Sequence, residues 1–177
     1  MRVRRVGLLA VLCAALVACS GGGGKAVVLP KISASSPASA SPDPVPTAAK
    51  APTPEGAAAF ARFFYARVTE AFAAKDPSLL AVLSEPGCKT CQRYLASLTR
   101  LRDRNERVTP VVFQILFAEA PSNNGMTARV DVQYNAPATT RYDSSGRVIY
   151  QEKAAARVNE TVELVRRAGA WKIAEIA

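Results

Sequence analysis

Residues 110–135, PVVFQILFAEAPSNNGMTARVDVQYN, decide the fold, because the spacing of apolar residues changes there from a helical to a strand period. Apolar side chains recur at every second position across 111–117 and again across 126–134. This alternation predicts two half-buried strands, and residues 121–125 between them carry a turn signal. Pro137 then predicts a bend or a sheet edge.

The chain after this stretch continues with strand patterns. Val158, Val162 and Leu164 belong to a long strand, which turns at Ala168-Gly169 into a last strand over 171–176. The C-terminal half therefore predicts a series of antiparallel strands.

The chain before residue 110 has helical spacing instead. Thr53-Pro54-Glu55 is typical of a helix start, with a capping hydroxyl, a proline at the first position and an acid in the first turn. Apolar residues then recur every three or four positions and predict a helix that ends near Lys75. A short helix follows Asp76-Pro77, and a third helix runs from about Cys88 to Arg107.

Helices first and strands afterwards indicate an α+β fold. We predict three N-terminal helices packed on an antiparallel sheet of about four to five strands. A domain of about 120 residues has room for one hydrophobic core.

The N-terminus has the parts of a secretory signal that ends at a lipid-attachment cysteine. Arg2, Arg4 and Arg5 precede an apolar run over 6–17, which is shorter than the ~20 residues of a membrane-spanning helix. Leu16-Val17-Ala18-Cys19 resembles the lipobox of bacterial lipoproteins, in which the cysteine carries the lipid, such as palmitate, and becomes the first mature residue. An ordinary cleaved signal peptide is the alternative.

We therefore expect three parts in the chain. These are a lipoprotein signal peptide (1–18), the lipidated Cys19 with a disordered Ser/Ala/Pro/Gly-rich tether (19–53), and the folded α+β domain (54–177). The tether composition cannot bury enough apolar surface to offset the entropy lost on ordering. The expected location is the outer face of the cell membrane, held by the lipid anchor.

Composition excludes several classes of function. Removal of Arg2, Arg4 and Arg5 lowers the count of Lys and Arg from 23 to 20, and against 14 acidic residues a net charge of +6 remains. This modest excess suits an anionic membrane surface better than a nucleic acid. The chain contains no histidine, which removes the commonest general base and metal ligand. We expect no cofactor, no metal and no nucleic-acid partner.

Several residues together resemble a known superfamily. They are the aromatic first helix, the break Ala74-Lys75-Asp76 followed by Leu80 and Leu83, and the closing strand that begins Gly169-Ala170-Trp171-Lys172-Ile173. This pattern resembles the nuclear transport factor two-like superfamily, a cystatin-like α+β cone that includes small ketosteroid isomerases and polyketide cyclases. The resemblance implies that the sheet of the domain over 54–177 is curved and cone-like. More narrowly, the lipobox, the tether and Pro86-Gly87-Cys88-Lys89-Thr90-Cys91 resemble an uncharacterised family of actinobacterial lipoproteins.

Cys88 and Cys91 are the two cysteines left when the leader is removed and Cys19 is acylated. An even pair in an exported domain favours a disulfide, and we expect a structural one. A redox-active pair at a helix start is the alternative, although no strand of a parallel sheet leads into the motif. Two cysteines without histidine cannot complete a zinc site.

Arg67 is the candidate ligand-binding residue, because it falls inside the apolar arc of the first helix. In the resembled fold that helix covers the open side of the sheet, so Phe60, Phe64 and Trp171 would form the apolar wall around a ligand. The alternative is an arginine whose stem packs on phenylalanine while its head reaches water.

Polar residues of the strands are further candidates, since one face of them would line the cavity. They are Asp131, Gln133, Glu160 and Glu163, and a solvent-facing position is the commoner explanation for such residues.

Two classes of function remain. The first is a non-catalytic membrane-anchored lipoprotein that binds a small molecule or an envelope protein, and we favour it. The second is a small isomerase- or cyclase-like enzyme that uses a carboxylate in the cone cavity. The isomerase branch of the superfamily has a tyrosine about two turns before the aspartate after its first helix. Here that region offers Val68, and Tyr65 points to another face. We therefore assign no catalytic residue.

The lipobox gives a first prediction. Cys19→Ala should abolish lipid attachment and processing at this site, because the acylated atom is the cysteine sulfur. Globomycin sensitivity and detergent partition of the wild type and the variant measure this. Wild-type protein found wholly in the aqueous phase with an unmodified N-terminus would refute the anchor.

Overall fold

The computed structural model describes residues 44–177. The predicted signal peptide, Cys19 and most of the tether lie outside the described residues. A short 3-10 helix, Thr47–Lys50, comes first. Three α-helices and seven strands follow in this order: α1 Pro54–Ala74, α2 Ser78–Ala81, α3 Lys89–Asp103, β1 Arg107–Val108, β2 Gln114–Asn123, β3 Thr127–Ala136, β4 Thr139–Tyr142, β5 Val148–Glu152, β6 Ala155–Arg167 and β7 Ala170–Ile176.

Helix α1 begins and ends as its sequence predicts. The Thr53 hydroxyl accepts a hydrogen bond from the Gly56 N–H at 3.1 Å, and Pro54 occupies the first helical position. The helix ends at Lys75, which takes the left-handed conformation (φ 54°). Its buried face packs on β2 and β3.

The strands form two antiparallel sheets, with the orders β2-β3-β6-β7 and β1-β4-β5. The first, the main sheet, supports α1. Within it the inward face of β3 and β6 carries Val130, Val132, Val162 and Leu164, all of them buried. Burying each such side chain contributes about 1.5–3 kcal/mol, so this layer supplies much of the core.

The α+β class and the curved antiparallel sheet are confirmed, but the single sheet of four to five strands is wrong. The chain leaves the main sheet after Ala136, passes Pro137, and forms β4 and β5 in the second sheet. Pro137 has no N–H for a ladder hydrogen bond, which explains why the strand breaks there. The alternating pattern identified strands but not which sheet each strand joins.

The helices also differ from the prediction. They occupy residues 54–103, in the middle of the chain rather than at its N-terminus, and α3 ends at Asp103 instead of Arg107. Asn105 takes a left-handed conformation (φ 49°), and Glu106 turns inward and is 4% exposed. Arg107 then pairs with Tyr142 of β4, so it belongs to a strand.

Residues that precede α1 also pack on the folded part of the chain. The 3-10 helix packs on α1 and β7, and Ala49 is 1% exposed. Trp171 donates its indole N–H to the Ala51 carbonyl at 2.8 Å, and Arg166 donates to the Lys50 carbonyl. This segment, poor in large apolar residues, is held here by its backbone carbonyls, the buried Ala49 methyl group and the half-buried Val45, which a composition argument does not detect.

A substitution at Gly56 tests the packing of the residues before α1 on this helix. Gly→Ala in a helix interior usually stabilises by about 1 kcal/mol. A Cβ on Gly56 would lie 2.2 Å from the carbonyl oxygen of Ala51, so we expect Gly56→Ala to lower the melting temperature. In a fragment that begins at Pro52 the obstructing Ala51 is absent, and the same substitution should be neutral or stabilising. Thermal unfolding of both variants beside their parents measures this, and an equal loss in both backgrounds would contradict the packing.

Candidate functional site

A cavity of about 540 Å³ lies between α3 and the second sheet. We call it the cone cavity, and its lining includes Tyr94, Leu101, Phe113, Tyr134, Arg141 and Tyr150. It forms because α3 packs against β7 of the main sheet, while β4 and β5 belong to another sheet. Its volume lies within the range of small-molecule sites.

The buried end of the cone cavity is aromatic and aliphatic. Leu101 is 1% exposed and Tyr134 is 5% exposed. The Tyr134 ring stands edge-on to Phe113 at 5.1 Å between centroids, and Tyr65 of α1 lies 5.4 Å from both rings. Phe113 and Tyr134 form the apolar base of the cavity, and Tyr65 packs behind them without lining it.

Glu160 joins two of these rings by hydrogen bonds. The Tyr134 hydroxyl donates to Glu160 Oε1 at 2.8 Å, and the Tyr65 hydroxyl donates to Oε2. Glu160 pairs with Val132 across β3 and β6 and lies on their inward face. One carboxyl group therefore connects α1, β3 and β6.

The tyrosines of this region are held in their protonated form. Burial raises the pKa of the Tyr65 phenol well above its usual range, and the nearby Glu160 carboxyl raises it further. Burial, followed by the hydrogen bond to Glu160, raises the pKa of Tyr134 in the same direction. Burial also raises the pKa of Tyr94. These phenols act as hydrogen-bond donors rather than as bases.

The exposed end of the cone cavity is cationic. Arg93 of α3 and Lys153 after β5 line it and are exposed, and Arg141 of β4 lines it with a half-buried side chain. Glu152 is the carboxylate among the residues of this end, and it accepts a hydrogen bond from the Tyr150 hydroxyl at 2.9 Å.

Arg141 is held in position from two sides. It donates to Glu106 Oε2 at 3.0 Å, and the Glu106 side chain is 5% exposed. Its guanidinium also lies over the Tyr150 ring, 5.7 Å from the centroid. Within residues 44–177 its Nε is one of two buried side-chain polar atoms without a hydrogen-bond partner.

The four residues expected around a ligand lie elsewhere. Phe60 and Phe64 of α1 are 1% and 0% exposed in the hydrophobic core, and Trp171 is 1% exposed beside the N-terminal segment. None of them lines the cone cavity. The reason is that α1 lies flat on the main sheet, so its apolar face meets strand side chains rather than a ligand space.

Arg67 is buried in the fold, with 5% exposure. Its guanidinium pairs with Glu70 one turn later and lies 5.0 Å from the centre of the Phe63 ring. Arg67 lies within the apolar arc of α1, as predicted. It does not line the cone cavity.

The strand polar residues divide between the two faces of the main sheet. Asp131 pairs with Thr161, Gln133 pairs with Asn159, and these positions alternate with the inward ones. Glu163 is likewise exposed. Glu160 alone of the four candidates turns inward, so the commoner explanation is right for the other three.

Cys88 and Cys91 form a disulfide, as predicted. Cys88 caps α3, and its Sγ accepts from the Cys91 N–H at 3.2 Å. The two residues are 0% and 1% exposed, which is unsuited to exchange with another thiol. This burial favours the structural role over the redox role.

The sequence reasoning missed Tyr65, Tyr134 and Arg141 as site residues. A signal existed for Glu160, because a carboxylate stands between Val158 and Val162 at an inward position of the predicted strand. No comparable signal existed for Arg141, since the position of β4 depends on the change of sheet at Pro137.

Two further properties concern residues 44–177. Among their helices, none combines the length and the apolar character that a membrane-spanning helix needs. Nor does this part of the chain bring three or more His, Cys, Asp or Glu side chains into a group suited to a metal ion.

Comparison with known proteins gives the family. The family of unknown function DUF6318 matches residues 31–177, and the chain belongs to it. A search of curated protein sequences returned no match.

Three solved structures are similar to this chain at low sequence identity. The intermembrane space region of the chloroplast protein ARC6 aligns with a TM-score of 0.52 and 11% identity, covering 71% of this chain and 95% of that one. An uncharacterized protein with a cystatin-like fold from Caulobacter vibrioides aligns at 0.39 and 15%, covering 66% and 83%. Aln2 from a Streptomyces species aligns at 0.40 and 16%, covering 66% and 85%. The first likeness indicates a common fold and nothing beyond it.

The buried tyrosines predict how stability depends on pH. In the unfolded chain they ionise near pH 10, whereas in the folded chain Tyr65, Tyr94 and Tyr134 keep their protons. The folded state then binds more protons than the unfolded state, so the free energy of unfolding should fall as the pH rises above about 10.

Alkaline titration of phenolate absorbance, with far-UV circular dichroism recorded alongside, measures this. We expect two steps among the five tyrosines, the second coinciding with unfolding. Tyr65→Phe should remove one phenolate from the second step. Ionisation of all tyrosines before the loss of secondary structure would contradict the burial of the network.

Proposed function

We propose that the chain is a membrane-anchored extracytoplasmic lipoprotein whose cone-like domain binds a small molecule in the cone cavity without catalysing a reaction. The observation that carries the proposal is a cavity of about 540 Å³ with an aromatic buried end and a polar exposed end. Pockets of this size and character are the usual small-molecule sites.

The hydrogen bonds that the carboxyl groups of this region accept favour binding over catalysis. Both oxygens of Glu160 accept hydrogen bonds from tyrosines, and Glu152 accepts one from Tyr150. A general base must reach the proton that it removes with a free oxygen. Glu160 has both oxygens engaged and does not line the cavity, whereas Glu152 lines its exposed end with one oxygen engaged.

The anchor part of the proposal rests on the lipobox at Cys19 and on the residues that follow it. A Pro-rich segment between Cys19 and the packed segment at Thr47–Lys50 would hold the domain away from the membrane surface. The lipid would then fix the protein at the outer face of the membrane while leaving the cone cavity accessible to envelope molecules.

Filling the cavity tests the binding function. Ser97 of α3 lines the cone cavity, and Ser97→Trp should occupy much of its volume. Ala96 is exposed on another side of the same helix and is not among the lining residues, so Ala96→Trp is the matched control. Native mass spectrometry and thermal-shift screening against envelope extracts measure ligand binding by the full chain.

We expect ligands that bind the wild type and Ala96→Trp but bind Ser97→Trp at least tenfold more weakly. Equal binding by both variants would exclude the cone cavity as the site. Turnover of a carbonyl substrate that is lost in Glu160→Gln would favour the enzymatic alternative, a small isomerase- or cyclase-like activity.

A further inference from the structure

The two ends of the cone cavity differ in what they offer a ligand. At the buried end the hydroxyl of Tyr134 already donates to Glu160, so it is not left for an acceptor group of a ligand. Beside it lie the apolar side chains of Leu101, Val111 and Phe113 and the ring of Tyr94, with the Ser97 hydroxyl as a further polar group of the lining. This end therefore suits hydrocarbon.

At the exposed end the lining carries three cations, Arg93, Arg141 and Lys153, and the carboxylate of Glu152, while the buried carboxylate of Glu106 offsets part of the charge of Arg141. Since Tyr150 donates to Glu152, that carboxylate is partly engaged. The remaining positive charge favours a negatively charged group at the mouth of the cavity.

Arg141 is the most constrained of these cations. Glu106 and the Tyr150 ring hold its guanidinium, so little side-chain entropy remains to be lost when an anion binds. Its Nε also lacks an acceptor among the described residues, but that atom is buried, so a ligand would meet the terminal nitrogens of the guanidinium. A guanidinium held in place by a buried acid, with half-buried terminal nitrogens at the cavity, is suited to a carboxylate or phosphate oxygen.

From these observations we infer that the cone cavity binds a single-chain amphiphile, with its anionic head at Arg141, Arg93 and Lys153 and its hydrocarbon chain at the buried end. The inference rests on the proposed function, because it names the ligand class of the same cavity. A fatty carboxylate and a single-chain lipid phosphate share this chemistry.

Titration calorimetry of the full chain tests the inference. The chain carries Cys19→Ser, so that no attached lipid competes, and the probes stay below their critical micelle concentrations. Oleate and oleoyl lysophosphatidate are the two anionic probes. Monoolein supplies the same hydrocarbon with a neutral head, and acetate and inorganic phosphate supply the heads alone.

We expect at least one anionic amphiphile to bind at least tenfold more tightly than monoolein, and the isolated heads not to bind measurably. Tighter binding of oleate identifies a carboxylate ligand, and tighter binding of lysophosphatidate identifies a phosphate ligand. Ser97→Trp should weaken the binding of each amphiphile.

Arg141→Gln alone would leave Glu106 buried without its partner, so the variant for the head site is Glu106→Gln/Arg141→Gln, which replaces both charges with amides. It should weaken anionic probes at least tenfold and leave monoolein unchanged. Arg129→Gln removes a charge from an exposed residue of β3 and is the control, with unchanged binding expected. Circular dichroism verifies that each variant is folded.

Equal affinity for monoolein and the anionic probes would overturn the anionic head and leave the binding function standing. An anion preference that persists in Glu106→Gln/Arg141→Gln would overturn the role of Arg141. If no amphiphile binds, but a different ligand binds the wild type and not Ser97→Trp, the ligand class is overturned and the binding function stands. Absence of any ligand from the wild type in both sets of experiments would overturn the proposed function as well.

Discussion

The hydrogen bonds from Tyr65 and Tyr134 to Glu160 are the interaction on which the arrangement of this domain depends. They join α1 to two central strands of the main sheet at the base of the cone cavity. A half-buried carboxyl group is costly unless its oxygens are hydrogen-bonded, and two phenols supply those bonds here. The same contact fixes the orientation of Tyr134, so the shape of the cavity follows from the core that supports it.

The cavity exists because the strands form two separate sheets. The strand breaks at Pro137 and the second sheet begins, with β1 pairing to β4 beyond the end of α3. Arg141 belongs to this second sheet, and Glu106 lies in the short connection between α3 and β1. Their ion pair therefore connects the two sides of the cavity mouth.

An amphiphilic ligand needs a polar site for its head group and an apolar site for its hydrocarbon chain. The cone cavity offers these at opposite ends. Charges remain near water, where their desolvation is limited, and the hydrocarbon enters a region already enclosed by rings and aliphatic groups. The disulfide between Cys88 and Cys91 has a supporting part in this, because it closes the first turn of α3, the helix that carries one wall.

The sequence by itself determined the α+β class, the start and end of α1, the pairing of Cys88 with Cys91 and the break at Pro137, because each depends on residues close together in the chain. It also determined which residues are apolar enough for the core, Phe60, Phe64 and Trp171 among them. Only the tertiary structure decided that these fill the core rather than line a cavity, that the strands divide into two sheets, and that Ala49 belongs to the folded domain. It alone brought Arg141 to Glu106 and Tyr65 to Glu160. These contacts join residues 35 and 95 positions apart, and their formation depends on how whole elements pack, which no local pattern of side chains encodes.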